Sequence, residues 1–208
     1  MAQDTTYYGH DLYGKFSLKD LIHELDQLDF KWIRILYMYP DEIEEDLLIE
    51  MKRCKRVLPY FDIPIQYGND RILKLMNRRG SVKLIKEKIA LIRKYFDNAY
   101  IRTTLIVGFP QETEESFEDT LDLMKEIGFD SLGAFTYSPE DDTPAEKMDG
   151  QVPENTKNQR YDILMRLQKN IAEEKNRGRI GKTYTTLIER KEELFNRYIG
   201  RTYMSAPD

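Results

Sequence analysis

The stretch Ala99-Tyr-Ile-Arg-Thr-Thr-Leu-Ile-Val-Gly-Phe-Pro-Gln-Glu-Thr113 decides the fold of this chain. Tyr100 to Val107 is rich in β-branched and aromatic residues without clean polar alternation, which predicts a parallel strand buried on both faces. Gly108-Phe-Pro110 ends the strand, and Thr113 is the predicted N-cap of a helix with acidic residues in its first turn. Because α/β proteins bind ligands in loops that follow the carboxyl ends of strands, we predict a ligand site here.

Outward from this stretch, the same unit recurs along the chain. Strand-like segments at 2–6, 32–38, 60–65 and 131–137 alternate with helical segments, and a long closing helix is predicted from 154 to about 177. Such alternation builds a parallel sheet from right-handed βα units. The fold class is therefore α/β, a partial TIM-like (β/α) barrel of about five strands rather than a full eightfold barrel.

Two further strand-like runs, 183–189 and 194–200, predict a β-hairpin with a charged turn. The hairpin follows the closing helix and does not continue the βα alternation. We therefore divide the chain into a barrel domain, 1–178, and the beginning of a small β domain, 179–208.

Charge and composition narrow the classes of function. The formal net charge of −5 does not mark the whole chain as a nucleic-acid binder, although basic residues concentrate in Lys175–Lys182. That segment is either a solvated helix end that suits the helix dipole or a small patch for RNA or an RNA-rich partner. The lack of a long apolar run predicts no membrane span, and the single cysteine, Cys54, points to the cytoplasm.

Several familiar motifs are incomplete in this sequence. Gly178-Arg-Ile-Gly-Lys-Thr183 lacks the first glycine of a P-loop, where Asn176 stands, and the HExxH-like segment at His23 ends in Gln27. One cysteine cannot hold an iron–sulfur cluster, so we predict a structural role for Cys54. Asp62 and Glu112 lie near strand ends and form a candidate pair for acid/base hydrolysis. The alternative is structural, with one a satisfied strand-end group and the other a loop or cap residue.

Seven segments, in order along the chain, carry a family resemblance. They are Ala2-Gln-Asp-Thr-Thr-Tyr-Tyr-Gly-His-Asp-Leu-Tyr13, Ile35-Leu-Tyr-Met-Tyr-Pro40, Tyr60-Phe-Asp-Ile-Pro-Ile-Gln66, Asp70-Arg-Ile-Leu-Lys-Leu-Met-Asn77, Arg102-Thr-Thr-Leu-Ile-Val-Gly-Phe-Pro-Gln-Glu-Thr113, Leu132-Gly-Ala-Phe-Thr-Tyr-Ser-Pro139 and Gly200-Arg-Thr-Tyr-Met-Ser-Ala-Pro-Asp208. Together they resemble the radical-SAM methylthiotransferases, and the last segment resembles the TRAM domain of the RimO type more than that of the tRNA-modifying MiaB type.

The resemblance implies a fragment of an enzyme that adds a methylthio group to an aspartate of a small-subunit ribosomal protein. It implies a partial radical-SAM barrel at 1–178 and the start of TRAM at 179–208. The cofactors would be S-adenosylmethionine and 4Fe-4S clusters, but this chain lacks the cluster cysteines and their C-x-x-x-C-x-x-C motif. We therefore expect the fragment alone to be inactive. The implied partners are the ribosomal protein or ribosome, with RNA contact through TRAM.

Three alternatives stay open beside that function. They are a MiaB-type fragment acting on tRNA, a barrel hydrolase using Asp62 and Glu112, and a binding or scaffold fragment without catalysis.

The resemblance also implies a set of cofactor-binding residues, namely Gln66, Arg102, Ile106, Gly108, Phe135 and Tyr137. Ile106 and Gly108 match the strand motif that lines the adenine, and Phe135 and Tyr137 would flank the base. Arg102 and Gln66 would meet the carboxylate or ribose of the cofactor, since a guanidinium can donate two parallel hydrogen bonds. The alternatives are plain core positions for Ile106 and Phe135, and an ion pair with a barrel acid for Arg102.

Overall fold

Four parallel strands form one sheet in the computed structural model, which describes residues 4–205. Their order in the sheet is their order in the chain: β1 (Ile33–Ile35), β2 (Val57–Asp62), β3 (Tyr100–Val107) and β4 (Ser131–Thr136). The α/β class and the parallel sheet are confirmed. The fifth predicted strand, at 2–6, begins outside the described residues, and Asp4–Thr6 form no strand. Thr5 instead donates its N–H to the Tyr37 carbonyl beyond β1.

Helices connect the strands as the alternation predicted. Their bounds are α1 (His10–Tyr13), α2 (Leu18–Asp26), α3 (Glu45–Arg53), α4 (Asp70–Leu75), α5 (Val82–Tyr95), α6 (Glu114–Ile127) and α7 (Glu154–Arg177), with 3-10 turns at Pro40–Glu42 and Glu193–Phe195. None of the helices within residues 4–205 is long and apolar enough to cross a membrane.

The start of α6 shows how the local sequence places the loop after β3. The Thr113 hydroxyl accepts a hydrogen bond from the Ser116 N–H, while the Ser116 hydroxyl accepts one from the Thr113 N–H. This capping box satisfies two backbone donors that the first helical turn leaves unpaired. The predicted N-cap is confirmed, so the loop has a fixed end at Thr113.

Only one face of β3 is fully buried, so the prediction of burial on both faces is wrong. Ile101, Thr103, Leu105 and Val107 are buried on the convex face of the sheet. Their neighbours Arg102, Thr104 and Ile106, on the opposite, concave face, are half-buried. The concave face is therefore available to other groups.

The hairpin predicted after the closing helix is confirmed as β5 (Leu187–Glu192) and β6 (Arg197–Arg201), which pair antiparallel. The chain after β6 returns to the amino-terminal end of the parallel sheet. There Arg34 donates hydrogen bonds to the carbonyls of Tyr203 and Ser205, at 2.9 and 2.5 Å. Residues 206–208 lie outside the described part.

Candidate functional site

A single backbone bridge extends the parallel sheet beyond the carboxyl end of β2. The Gln66 N–H donates to the Thr104 carbonyl, and the Ile106 N–H donates to the Gln66 carbonyl, both at 2.9 Å. Gln66 reaches this position with a φ of +71°, a left-handed conformation that is uncommon for a residue other than glycine. The two hydrogen bonds hold it there, beside Ile106.

A cavity of about 490 Å³ opens above these residues. Apolar side chains dominate its wall, and the Phe109 and Tyr137 rings meet edge to face at 5.2 Å. This volume is in the range of sites for small molecules and cofactors. Its lining residues are Gln66, Leu75, Met76, Asn77, Arg78, Ile106, Phe109, Tyr137, Thr143, Pro144 and Ala145.

Three predicted site residues, Gln66, Ile106 and Tyr137, thus meet at one cavity. The Tyr137 side chain lines this cavity; its hydroxyl is buried beside Thr143 and has no partner at hydrogen-bonding distance among the described residues. A buried donor without a partner is unfavourable unless a ligand supplies one. The cavity therefore offers an apolar floor, an aromatic wall, two side-chain amides (Gln66 and Asn77), the Arg78 guanidinium and a buried tyrosine hydroxyl.

Gly108 lies under the cavity rather than in its wall. Its φ is +76°, and a Cβ at this position would come within 2.3 Å of the Lys157 Cγ. Its N–H donates to the Glu112 carboxylate at 2.8 Å. Gly108 is needed because it lets the loop turn and lets α7 approach closely.

Glu112 stabilises the loop after β3 through a buried ion pair. Its side chain is fully buried and pairs with Arg160 of α7 at 2.7 Å, and Arg160 also reaches Glu114 at 3.1 Å. Burial raises the pKa of Glu112, while hydrogen bonds from the Gly108 N–H and Arg160 oppose that shift. Removing either Glu112 or Arg160 would leave the other residue as an unpaired buried charge.

Asp62 lies in a different environment from Glu112. It is buried and accepts hydrogen bonds from Arg102 at 2.9 Å and from the Tyr37 N–H at 3.1 Å. Neither carboxylate lines the cavity, and each already has its own cationic partner. The structure therefore does not bring together the pair on which the hydrolase alternative depends.

Arg102 is not part of the cavity. It lies four residues before Ile106 on β3, about 13 Å along the strand, and pairs with Asp62. It lines a second cavity, of about 430 Å³, at the amino-terminal end of the sheet together with Tyr60, Tyr100 and Arg179. The alternative of an ion pair with a barrel acid is the one that the structure shows.

Phe135 lies beside the cavity but not in its wall. It pairs with Ile106 in the β3–β4 register, yet its exposed fraction is 62% because β4 is the outer strand of the sheet. The alternative of a plain core position is therefore wrong for Phe135.

The sequence analysis missed two residues that shape the candidate site. Phe109 lies inside the stretch Ala99–Thr113. Its position directly after Gly108, in the predicted ligand-binding loop, was the signal that could have identified it. Lys157 is 3% exposed, and its ammonium donates to the Tyr137 carbonyl at 2.9 Å and to Glu154 at 2.6 Å. A lysine in a charged helix gives no local sign of such burial.

Comparisons with known proteins agree with this fold. Residues 4–124 match the sequence profile of the Radical SAM superfamily, which is more than half of the chain, so this chain belongs to that superfamily. Coproporphyrinogen III oxidase (HemN) from Escherichia coli, a radical SAM enzyme, superposes with a TM-score of 0.58 at 25% identity, over 74% of this chain and 37% of that one.

Within the superfamily, several similar curated proteins bear the name ribosomal protein uS12 methylthiotransferase RimO. The protein of Clostridioides difficile is 49% identical over all of this chain and 47% of its own length. That of Clostridium botulinum is 47% identical over 46% of its length, and that of Thermosipho africanus 46% over 48%. The chain thus spans about half the length of these relatives, and the resemblance to radical-SAM methylthiotransferases is confirmed.

Radical SAM enzymes use S-adenosylmethionine and 4Fe-4S clusters, and the two cofactors fit this chain differently. The cavity fits the adenosyl part, since its apolar floor suits a base and the Tyr137 hydroxyl lacks a partner. A cluster does not fit: Cys54 is the one cysteine of the sequence, and burial raises its pKa to about 11. No group of metal-ligating side chains was found among residues 4–205. The predicted structural role of Cys54 agrees with this environment.

Proposed function

We propose that this chain is the S-adenosylmethionine-holding part of a methylthiotransferase acting on an aspartate of ribosomal protein uS12. The cavity that joins Gln66, Ile106 and Tyr137 at the carboxyl end of the sheet carries the proposal. The names of the relatives support it and favour a protein substrate over the tRNA of the MiaB alternative. With a single cysteine, the chain by itself is inactive under this proposal.

Each cavity residue has a distinct task in holding the cofactor. Ile106 and Phe109 would provide the apolar surface for the adenine, and Tyr137 would hold it from the aromatic wall. The Gln66 amide meets the ribose. When bound with a cluster, S-adenosylmethionine supplies the radical and methyl-transfer chemistry, and the protein supplies position.

The other predicted site residues act indirectly. Gly108 shapes the loop and admits Lys157, which holds the Tyr137 carbonyl. Phe135 flanks the cavity mouth, and Arg102 orders the concave face through Asp62.

We assign contact with the ribosome to the carboxyl-terminal part of the chain, keeping the division into 1–178 and 179–208. A cavity of about 610 Å³ between the two parts brings together four cations, Arg93, Lys175, Arg179 and Lys182, and two carboxylates, Asp97 and Asp130. Asp130 pairs with Lys175 and Arg179, at 3.1 and 2.5 Å, which leaves the cluster with excess positive charge. Such a surface suits RNA phosphates, and we infer a cytoplasmic location from the proposed action on the ribosome.

A transfer assay in a chimera tests the proposal. The half of the Clostridioides difficile relative that aligns with this chain is replaced by this chain, and uS12 is analysed by mass spectrometry after anaerobic reaction. A methylthio group on an aspartate of uS12 is expected. An intact cluster and cofactor binding without transfer to uS12 would contradict the proposed substrate.

A further inference from the structure

The outer edge of β4 has no strand partner among residues 4–205. The Tyr137 N–H donates to the Val107 carbonyl at 2.7 Å, so the odd-numbered residues at this end of β4 direct their backbone groups toward β3. By alternation, the N–H and C=O groups of Leu132, Ala134 and Thr136 point to the outer edge. A row of backbone groups of this kind is a template for a further strand.

The concave side of this edge is open and partly apolar. Phe135 is 62% exposed, and a Cβ added at Gly133 would meet nothing within 4 Å. A polypeptide lying along β4 would have open space over Gly133 and the Phe135 ring beside it. The strand leads directly to Tyr137, so such a chain would end at the mouth of the cofactor cavity.

The loop after β4 supplies a charge preference. Between residues 138 and 152 it carries five acidic side chains and one basic one, a net charge of −4. None of the five forms an ion pair within the described part of the chain; they are Glu140, Asp141, Asp142, Glu146 and Asp149. A negative loop attracts a basic polypeptide and repels nucleic-acid phosphates.

We propose that a basic, extended segment of the protein substrate docks on β4 as an additional strand of the sheet. The outward backbone groups of Leu132, Ala134 and Thr136 form the ladder, Phe135 packs against a substrate side chain, and the acidic loop selects positive charge. The docked segment delivers its reacting residue to the cavity between Gln66 and Tyr137. This inference rests on the proposed function, because it requires a protein substrate.

Amide hydrogen exchange of the chain with purified uS12 tests the inference residue by residue. In the free chain, we expect the amides of Leu132, Ala134 and Thr136 to exchange faster than those of Gly133 and Phe135, which β3 protects. Bound uS12 slows the three fast amides by about tenfold or more, which corresponds to about 1.4 kcal/mol.

Three outcomes would overturn it. They are binding of uS12 without protection of the three amides, failure of uS12 to bind, and protection that rises with the concentration of the chain alone, which would show pairing between copies.

A backbone substitution gives a second test. Thr136→Pro removes one outward N–H, which is tolerated at an edge, whereas the matched control Thr136→Val keeps it. We expect the proline variant to bind uS12 about tenfold more weakly and the valine variant to bind normally. Should the proline variant misfold, Phe135→Ala measures the same docking through its side chain. A chimera that modifies uS12 equally well with Thr136→Pro and Phe135→Ala would refute the docking mode alone and leave the proposed function standing.

Discussion

Lys157 lies within contact of Gly108, and this close approach fixes the wall of the cavity. The lysine stem fills the space that a Cβ would occupy, at 2.3 Å from the Cγ, and its ammonium holds the Tyr137 carbonyl at 2.9 Å. A glycine in the loop after β3 and a buried cation on α7 therefore position Tyr137 together.

Gly108→Ala should destabilise the fold. The added Cβ meets Lys157 and forces a left-handed φ on alanine, which costs about 1–2 kcal/mol before the clash is counted. Urea unfolding measures the change. Gly133→Ala is the matched control, since nothing lies near its Cβ, and it should be neutral. In the double variant Gly108→Ala/Lys157→Ala, only the part of the lost stability that comes from the steric clash should be recovered. Full recovery of the free energy of unfolding would show that the backbone at position 108 is not strained.

Tyr137→Phe should affect stability and cofactor binding in opposite directions. The hydroxyl is buried without a partner, so its loss leaves the free energy of unfolding unchanged or raises it by about 1 kcal/mol. The same loss weakens S-adenosylmethionine binding by a factor of about 2–10, the usual worth of a net hydrogen bond. Thermal unfolding and equilibrium dialysis measure the two effects. Lower stability of the apo variant would show that the hydroxyl has a partner after all.

The Glu112–Arg160 pair predicts a pH-dependent defect. Arg160→Met leaves Glu112 buried without its cation, which costs about 3–5 kcal/mol at pH values where the carboxylate is charged. Because burial raises the pKa of Glu112 in the folded state, protonation relieves the defect. The loss of stability should therefore shrink as the pH falls toward the unfolded-state pKa and grow as it rises through the folded-state pKa.

Denaturant unfolding across a pH series measures this dependence. In the control Glu112→Gln/Arg160→Met, the pH dependence of the defect should vanish. A defect that is equal at acidic and alkaline pH in Arg160→Met would refute the assigned charge state.

Cys54 should resist alkylation until the protein unfolds. Burial raises the pKa of its thiol to about 11, so little thiolate forms at neutral pH. Labelling with iodoacetamide should follow global unfolding in denaturant. Anaerobic incubation with iron and sulfide should give no cluster absorbance from this chain. Stoichiometric absorbance would contradict the conclusion that a cluster does not fit.

Local sequence signals were enough to predict much of this fold. Tyr100–Val107 was predicted with its observed bounds, because a run of β-branched and aromatic residues defines it and Gly108 ends it. The Thr113 cap was predicted for the same reason. Burial of both faces of β3 was predicted wrongly, since the pattern of apolar residues does not show that helices cover only one face.

The candidate site was harder to predict from the sequence than the fold was. Gln66, Ile106 and Tyr137 meet because parallel strands end at one edge, which the alternation predicts. Arg102 shares a face with Ile106 but lies at the opposite end of β3, and its partner Asp62 is forty positions earlier in the chain. The exposure of Phe135 depends on β4 being the outer strand, a property of the sheet rather than of the residue.

The most direct test of the cofactor site is a titration of the chain with S-adenosylmethionine, followed by methyl NMR with isoleucine side chains labelled. We expect saturable shifts of the Ile106 methyl resonance, because Ile106 lies in the cavity floor, and none for Ile89, which is buried in α5. In Ile106→Glu the shifts of nearby residues should be lost. Saturable binding that leaves Ile106 unchanged, or no binding at all, would contradict the central claim.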